Sequence, residues 1–164
     1  YRNLVSVVSQ DVYMFNTSIR NNICMYKEID DKIVMEVCEN SGLSDFISEV
    51  SLDYVVGQNG AMLSGGQKQK IALARALVQN SPIVIFDEAT SNTDVYSEQQ
   101  INGLLHTKLK EKTVIIITHK QEILREADQI ILLKDGIVIG TGRYDDLIKS
   151  NVDFKDMINM AERY

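Results

Sequence analysis

Leu63-Ser64-Gly65-Gly66-Gln67 opens a run of strong helix formers that continues through Leu77. Ser64 is a good N-cap residue, and the two glycines allow a ligand to approach the backbone closely. The helix that begins here turns its free amide groups and the positive end of its dipole outward, which suits a phosphate group. On these residues alone, a serine-glycine loop that only caps a helix is the alternative interpretation.

A second candidate site lies at the end of an apolar run. Asp87 and Glu88 directly follow Ile83–Phe86, a run typical of a strand that is buried on both faces. The carboxyl end of such a strand is where α/β proteins bring polar groups to a ligand. Two acidic residues that end a strand at the surface would give the same pattern, so the interpretation depends on the neighbouring motifs.

The rest of the chain alternates between strand and helix patterns. Buried strands are predicted at Leu4–Ser9 and Thr113–Thr118, and a helical block at Asp11–Val50. One face of that block is predicted to consist of Ile33, Val37 and Cys38. The helix after Gln67 places Ile71, Ala74 and Val78 on one face.

The last third of the chain continues this alternation. The pattern predicts a helix over Gln121–Ala127, strands over Gln129–Leu133 and Ile137–Gly140 joined by an Asp135-Gly136 turn, and a closing helix from Tyr144. The predicted fold class is therefore α/β, with a mostly parallel sheet and a helical insertion.

Composition limits the function. The 164 residues include 17 basic and 23 acidic side chains, a net charge of −6, with no basic block that could follow a nucleic-acid backbone. We therefore expect no nucleic-acid partner. The apolar runs are strand-sized, whereas a membrane-spanning helix needs about 20 apolar residues, so no transmembrane segment is predicted.

Two smaller features concern the thiols and the first residues. Cys24 and Cys38 form no Cys-x-x-Cys pair and have no clustered histidine nearby, so both are predicted to be reduced, cytosolic thiols. Tyr1-Arg2-Asn3 has neither an initiator methionine nor a signal-peptide pattern. We expect the sequence to begin inside a longer protein.

Together, the motif at Leu63–Gln67 and the helix ending in Ala74-Arg75-Ala76-Leu77 resemble the signature motif of the ABC ATPase family. In that family the signature motif of one subunit contacts the γ-phosphate of ATP held by a partner subunit. The resemblance therefore implies an ATP-binding role for Ser64, Gly65, Gly66 and Gln67.

The resemblance assigns roles to residues that follow the predicted strands. Asp87 corresponds to the Walker B aspartate that assists Mg²⁺, and Glu88 to the general base that polarises the attacking water. Gln10 corresponds to the Q-loop glutamine, whose amide oxygen reaches Mg²⁺. His119 corresponds to a switch histidine that contacts the γ-phosphate, whereas His106 lies outside any motif and is predicted to be structural.

Asp94 matches the aspartate of the family's D-loop, which is usually Ser-Ala-Leu-Asp. The two middle residues here, Asn92 and Thr93, depart from that pattern, which weakens any inference about communication between two ATP sites. An ordinary N-cap aspartate is compatible with the same position.

Two segments resemble ABC exporters in particular. Asp11–Ile23 is similar to the region after the Q-loop glutamine, and Tyr54–Gly60 is similar to a segment that contacts the intracellular coupling helices, although Gln58 replaces a residue that is often acidic. The resemblance implies an ATP-driven exporter at the cytoplasmic face of the cell membrane. Its partners would be the transmembrane domain of the same transporter and a second ATPase domain.

The resemblance also implies a domain division and an incomplete P-loop NTPase fold. Residues 1–10 and 81–164 would form part of the RecA-like ATPase core, and residues 11–80 a helical subdomain that carries the signature motif. No GxxxxGK[S/T] motif occurs in the sequence. We therefore expect the Walker A segment to precede Tyr1 in the parent protein, and this chain alone to be inactive.

Two alternatives stay open at the level of sequence. A chromosome or DNA-repair ATPase shares the signature and Walker B motifs but inserts coiled coils between them, and no heptad-rich insertion lies in this chain. A non-catalytic interaction fragment, in which the motifs are relics, is the second alternative.

Overall fold

The computed structural model describes residues 3–87 and 102–161. By its internal contacts the chain divides into two compact units, Tyr1–Ile117 and Thr118–Tyr164.

The first unit contains a three-stranded parallel sheet. Its strands are β1 (Val5–Ser9), β2 (Ile83–Asp87) and β3 (Thr113–Ile117), in the spatial order β1-β2-β3. Ser9 of β1, Asp87 of β2 and Ile117 of β3 are neighbours in the register. The three strands therefore end together, and the segments that follow them begin at one edge of the sheet.

The described part of this unit also contains helices. They are α1 (Ile19–Cys24), α2 (Asp31–Asn40), α3 (Ser44–Val50) and α4 (Gly65–Gln79), with a 3₁₀ turn at Gln58–Gly60. Residues 102–106 are also helical. The predicted helical block and the long helix after the glycine-rich stretch are thereby confirmed.

The long helix α4 contributes to two hydrophobic cores. Ile71 and Ala74 pack in the helical core with residues of α1 to α3, such as Ile23. Ala72 and Ala76, on the other side of α4, pack with β1 and β2. Because alanine side chains are small, this side of α4 can lie close to the sheet. The helix therefore joins the sheet to the helical core.

The sheet differs from the prediction in its burial. Sequence predicted strands that are buried on both faces, but only the face toward α4, which includes Val8 and Phe86, is buried. On the opposite face Val7 is 56% exposed and Ile115, which pairs with the register partner of Val7, Ile85, is 48% exposed. The apolar composition predicted the strands correctly, but it does not show whether both faces of the sheet are covered by other elements.

The predicted apolar face of α2 is partly wrong. Val37 and Cys38 are buried as expected, but Ile33 is 48% exposed and Val34 takes its place in the core. A shift of one residue rotates a position by about 100° around a helix, so the apolar residue next to Ile33 forms the buried face.

Over residues 118–161, the second unit consists of a hairpin and three helices. The strands β4 (Ile130–Lys134) and β5 (Ile137–Gly142) pair antiparallel, and the helices are α5 (Gln121–Glu126), α6 (Tyr144–Ser150) and α7 (Val152–Ala161). Asp135 and Gly136 both have positive φ, which confirms the predicted tight turn. The predicted single closing helix is two helices, because Asn151 leaves helical geometry and its side chain accepts a hydrogen bond from the backbone N–H of Phe154.

The division into an ATPase core and a helical subdomain over residues 11–80 stays a prediction. No helix in the described part of the chain combines the length and the apolar character needed to cross a bilayer.

Candidate functional site

The first turn of α4 is held by its own side chains. Ser64 is the N-cap residue, and its Oγ accepts a hydrogen bond from the Gln67 backbone N–H at 3.2 Å. In return, Gln67 Oε1 accepts one from the Ser64 backbone N–H at 2.8 Å. This capping box fixes where the helix begins and leaves the remaining first-turn amides available to an anion.

The two glycines of the first turn face open space. A Cβ atom built on Gly65 or Gly66 would meet nothing within 4 Å, and neither residue has a positive φ. The fold of this chain therefore does not require glycine at either position. Gly60 differs, because its φ is +67° and a Cβ there would lie 3.0 Å from Met14 Cγ. The pattern at Gly65 and Gly66 fits a group that approaches from outside the chain.

The ends of the first two strands bring two predicted site residues to one edge of the sheet. Gln10 directly follows Ser9, which is the register partner of Asp87. Both Gln10 and Asp87 are exposed. The structure thus places the predicted Q-loop glutamine and the predicted Walker B aspartate at the same sheet edge, with their side chains accessible to a ligand.

A cleft of about 440 Å³ connects the Q-loop segment to the start of α4. Its lining includes Gln10 and Tyr13 from the segment after β1, Asn59, and Gly65 and Lys68 of α4. Gln10 and the first turn of the signature helix are therefore open to the same solvent-filled space.

The other three predicted site residues are His119, Glu88 and Asp94. His119 is exposed and lies in the second unit, two residues after β3 ends at Ile117. Glu88 and Asp94 lie outside the described residues. The predicted roles of these three side chains stay predictions.

The two exporter-like segments lie side by side. The backbone N–H of Ile19 donates to the carbonyl of Tyr54 at 3.0 Å, and the N–H of Val56 donates to the carbonyl of Thr17 at 3.1 Å. Ser18 and Val55 form an isolated antiparallel bridge. The segment after the Q-loop and the segment before the signature motif therefore form one continuous surface.

Sequence reasoning missed the role of Arg75, which it used only as part of a motif. The guanidinium donates from Nε to the carbonyl of Asn22 at 2.8 Å and from both terminal nitrogens toward the carbonyl of Tyr13 at 3.3 and 3.4 Å. Arg75 lies four positions after Ile71, which is fully buried. A charged residue on the buried side of an amphipathic helix was the pattern that could have identified it.

The sequence model of the ABC transporter family matches residues 1–91, which is more than half of the chain. The ATP-dependent lipid A-core flippases of Escherichia coli strain K12 and Shigella flexneri are each 40% identical to it over 152 residues, which cover 90% of this chain and 26% of the relative. A solved structure of a bacterial Atm1-family ABC exporter with ATP bound superimposes with a TM-score of 0.91 at 32% identity, covering 98% of this chain and 28% of that chain.

The chain thus spans only about a quarter of the length of these relatives. The close superposition confirms the predicted ABC ATPase fold with its parallel sheet. The match to the family model includes the signature motif and the end of β2. The chain belongs to the ABC transporter family.

Proposed function

We propose that this chain is the greater part of a nucleotide-binding domain that hydrolyses ATP to drive an ABC exporter. The observation that carries the proposal is the start of α4, where a capping box orients the first turn and two glycines face open space. Such a helix start presents free backbone amides and the positive end of the helix dipole to the phosphate groups of a nucleotide. Because Gly65 and Gly66 face outward, the nucleotide would be held by a second ATPase domain that docks against this one.

Gln10 and Asp87 fit a magnesium site. Mg²⁺ prefers oxygen ligands and usually binds one or two protein side chains, completing its shell with water and phosphate oxygens. Among the described residues no group of three or more histidine, cysteine, aspartate or glutamate side chains could hold a metal. The bound ion would neutralise charge on the phosphates of ATP.

Glu88, one residue beyond the end of β2, is the proposed general base. A carboxylate at this position would accept a proton from the water that attacks the γ-phosphate. His119, after β3, would contact the γ-phosphate, and Asp94 would contribute to the interface with the second domain. These three roles come from the resemblance and from the order of the strands.

The surface that would contact the transmembrane domain lies on the helical core. Tyr13, Phe15 and Tyr26 pack edge to face, with ring centroids 5.1 and 6.3 Å apart, and Tyr13 and Tyr26 are more than 60% exposed. We call these three residues the aromatic surface. Exposed aromatic rings are common anchors of protein interfaces, and a docked transmembrane domain would place the chain at the cytoplasmic side of the membrane.

The exporter relatives favour this function over a chromosome or DNA-repair ATPase. The acidic net charge of −6 points the same way, because binding to a nucleic-acid backbone depends on basic side chains. Measuring ATP turnover by a complete nucleotide-binding domain distinguishes the proposed function from a non-catalytic role.

The test is Glu88→Gln in the complete nucleotide-binding domain of the parent protein. The amide keeps the size of the side chain but loses its basicity, so phosphate release should fall at least about a hundredfold while ATP binding persists. An ATP-held dimer should then accumulate in size-exclusion chromatography. Glu111→Gln, the same change at an exposed turn residue, is the control.

Turnover by the Glu88→Gln variant within about threefold of wild type would show that Glu88 is not the base. Loss of ATP binding in the variant would instead indicate that the substitution disturbs the site itself.

A further inference from the structure

Arg75 is a partly buried cation with no carboxylate among its hydrogen-bond partners in the described part of the chain. Its acceptors are the carbonyls of Asn22 and Tyr13, together with Asn22 Oδ1 at 3.4 Å and Met14 Sδ at 3.8 Å. Burial lowers the pKa of the guanidinium, although arginine stays charged at neutral pH. A cation placed among neutral acceptors is costly unless its geometry is specific, so the arrangement points to a positional role.

Asn22 holds the same segment, residues 13–15, through Phe15. The side chain is fully buried, and its Oδ1 accepts from the Phe15 backbone N–H at 2.9 Å while its Nδ2 donates to the Phe15 carbonyl at 3.0 Å. Asn22 thus pairs with Phe15 as a strand neighbour would. Arg75 binds both Tyr13 and Asn22, so residues 13–15 are attached to α1 and to α4 at once.

The held segment carries two of the three rings of the aromatic surface, those of Tyr13 and Phe15. The other end of α4 begins at the capped turn, Ser64 to Gln67. Arg75 therefore lies on a single continuous helix between the turn that faces nucleotide and the loop that faces the membrane domain. A helix is stiff along its axis because its backbone hydrogen bonds run in that direction.

We propose that Arg75, supported by Asn22, is a positioning residue that makes residues 13–15 move with the signature helix when the helix start engages ATP. The inference rests on the proposed function. It adds that the coupling between the two surfaces passes through this guanidinium, and not only through the packing of the helical core.

The experiment is hydrogen exchange on the full-length protein, with and without Mg-ATP, followed in peptides that cover residues 13–15 and residues 64–68. In wild type, ATP should change the exchange of both peptides. Arg75→Met keeps an unbranched apolar stem and removes the charge. The variant should retain the response at residues 64–68 and lose at least about two thirds of the response at residues 13–15.

A matched control is Arg20→Met on α1. Arg20 also donates to a backbone carbonyl, that of Ile29 at 2.8 Å, and pairs with Asp31 at 2.7 Å, and neither of these partners lies in residues 13–15. The Arg20→Met variant should leave the ATP responses of residues 13–15 and 64–68 unchanged. Thermal unfolding of each variant measures stability separately from coupling.

If Arg75→Met does not fold, Arg75→Lys decides the question. Lysine keeps the charge but lacks the planar set of donors that serves Asn22 and Tyr13 together, so the response at residues 13–15 should fall by at least about half. A full response in a folded Arg75 variant overturns the inference alone. Absence of any ATP response at residues 64–68 in wild type overturns the proposed function, and the inference with it.

Discussion

Ser9, the last residue of β1, is the parallel-ladder partner of Asp87, the last residue of β2. Gln10 comes one residue later, so an amide and a carboxylate that are far apart in sequence emerge at one sheet edge. In parallel sheets the carboxyl ends of neighbouring strands are where ligands bind. The register thus brings together the two residues that we propose as oxygen ligands of a magnesium ion.

The first prediction concerns Asp87. Asp87→Asn removes the charge but keeps the shape, so Mg²⁺-dependent ATP hydrolysis by the complete nucleotide-binding domain should fall at least about tenfold. Asp87 is exposed, so the unfolding temperature should change little. The measurement is phosphate release against Mg²⁺ concentration. Wild-type turnover at every Mg²⁺ concentration would exclude Asp87 as a ligand of the ion.

The second prediction is that a substitution at Gly65 affects hydrolysis but not the stability of the fold. Because a Cβ there meets no atom within 4 Å and φ is not positive, Gly65→Ala should leave the free energy of unfolding unchanged or raise it by up to about 1 kcal/mol. The added methyl group occupies the space through which a phosphate would approach. Hydrolysis should therefore fall at least about tenfold, measured beside urea unfolding.

Gly60→Ala is the matched comparison for Gly65→Ala. The φ of +67° and the 3.0 Å approaches to Met14 Cγ and Lys68 Cε make alanine strained at this position. It should cost about 1–3 kcal/mol of unfolding free energy. Equal stability of the two variants would contradict the finding that alanine fits at Gly65 but not at Gly60. Full activity of Gly65→Ala would contradict the proposed approach of a phosphate at Gly65.

Much of the fold could be predicted because local patterns and tertiary structure agree. The strand pattern at Ile83–Phe86 corresponds to β2, and Ser64 caps α4 as its residue type predicts. Burial was harder to predict, because whether Val7 is covered depends on other elements and not on the strand's own sequence. Ile33 and Val34 are both apolar, so only packing decides which of them enters the core.

The candidate site was predictable where a motif is contiguous and not where it depends on contacts between distant residues. Leu63–Gln67 identifies itself in sequence, whereas Arg75 and Tyr13 are separated by 62 positions. Asn22 gave no sequence pattern, because asparagine in a short helix is usually exposed. Its full burial follows from the loop that it binds.

The third prediction concerns the two thiols, which are free and buried. Burial raises the pKa of Cys24, and it raises that of Cys38 to about 11 from an ordinary value of 9.0. The protonated form is therefore favoured in the folded state, and iodoacetamide at about pH 8 should label neither thiol until urea unfolds the protein. Rapid native labelling of both would contradict their burial.

The raised pKa of Cys38 makes the free energy of unfolding depend on pH. A raised pKa means that the folded state holds the Cys38 proton more tightly than the unfolded chain does, so this contribution is complete below pH 9 and is lost as the pH rises toward 11. The free energy of unfolding should fall over this window in wild type and fall less in Cys38→Ala. Equal slopes in the two proteins would assign the alkaline loss to other groups.

The fourth prediction concerns β3, which lies at the edge of the described sheet. Val114–Ile117 is β-branched and uncharged, and Ile115 and Ile117 are 48% and 51% exposed. An exposed apolar edge strand offers unpaired backbone groups and apolar side chains to another chain. A purified polypeptide of these 164 residues should therefore self-associate through β3, with an apparent mass by light scattering that rises with concentration.

Ile115→Lys tests that interface directly. A lysine on an edge strand opposes pairing because its charge would have to be buried between two sheets, so the apparent mass should stay near that of a monomer at concentrations where wild type associates. Val152→Lys is the control, since Val152 is 74% exposed on α7 in the second unit, and it should associate as wild type does. Hydrogen exchange at Val114–Ile117 should slow with concentration in wild type and in the control, but not in Ile115→Lys. A wild-type monomer at every concentration, with those amides exchanging freely, would show that the edge does not pair.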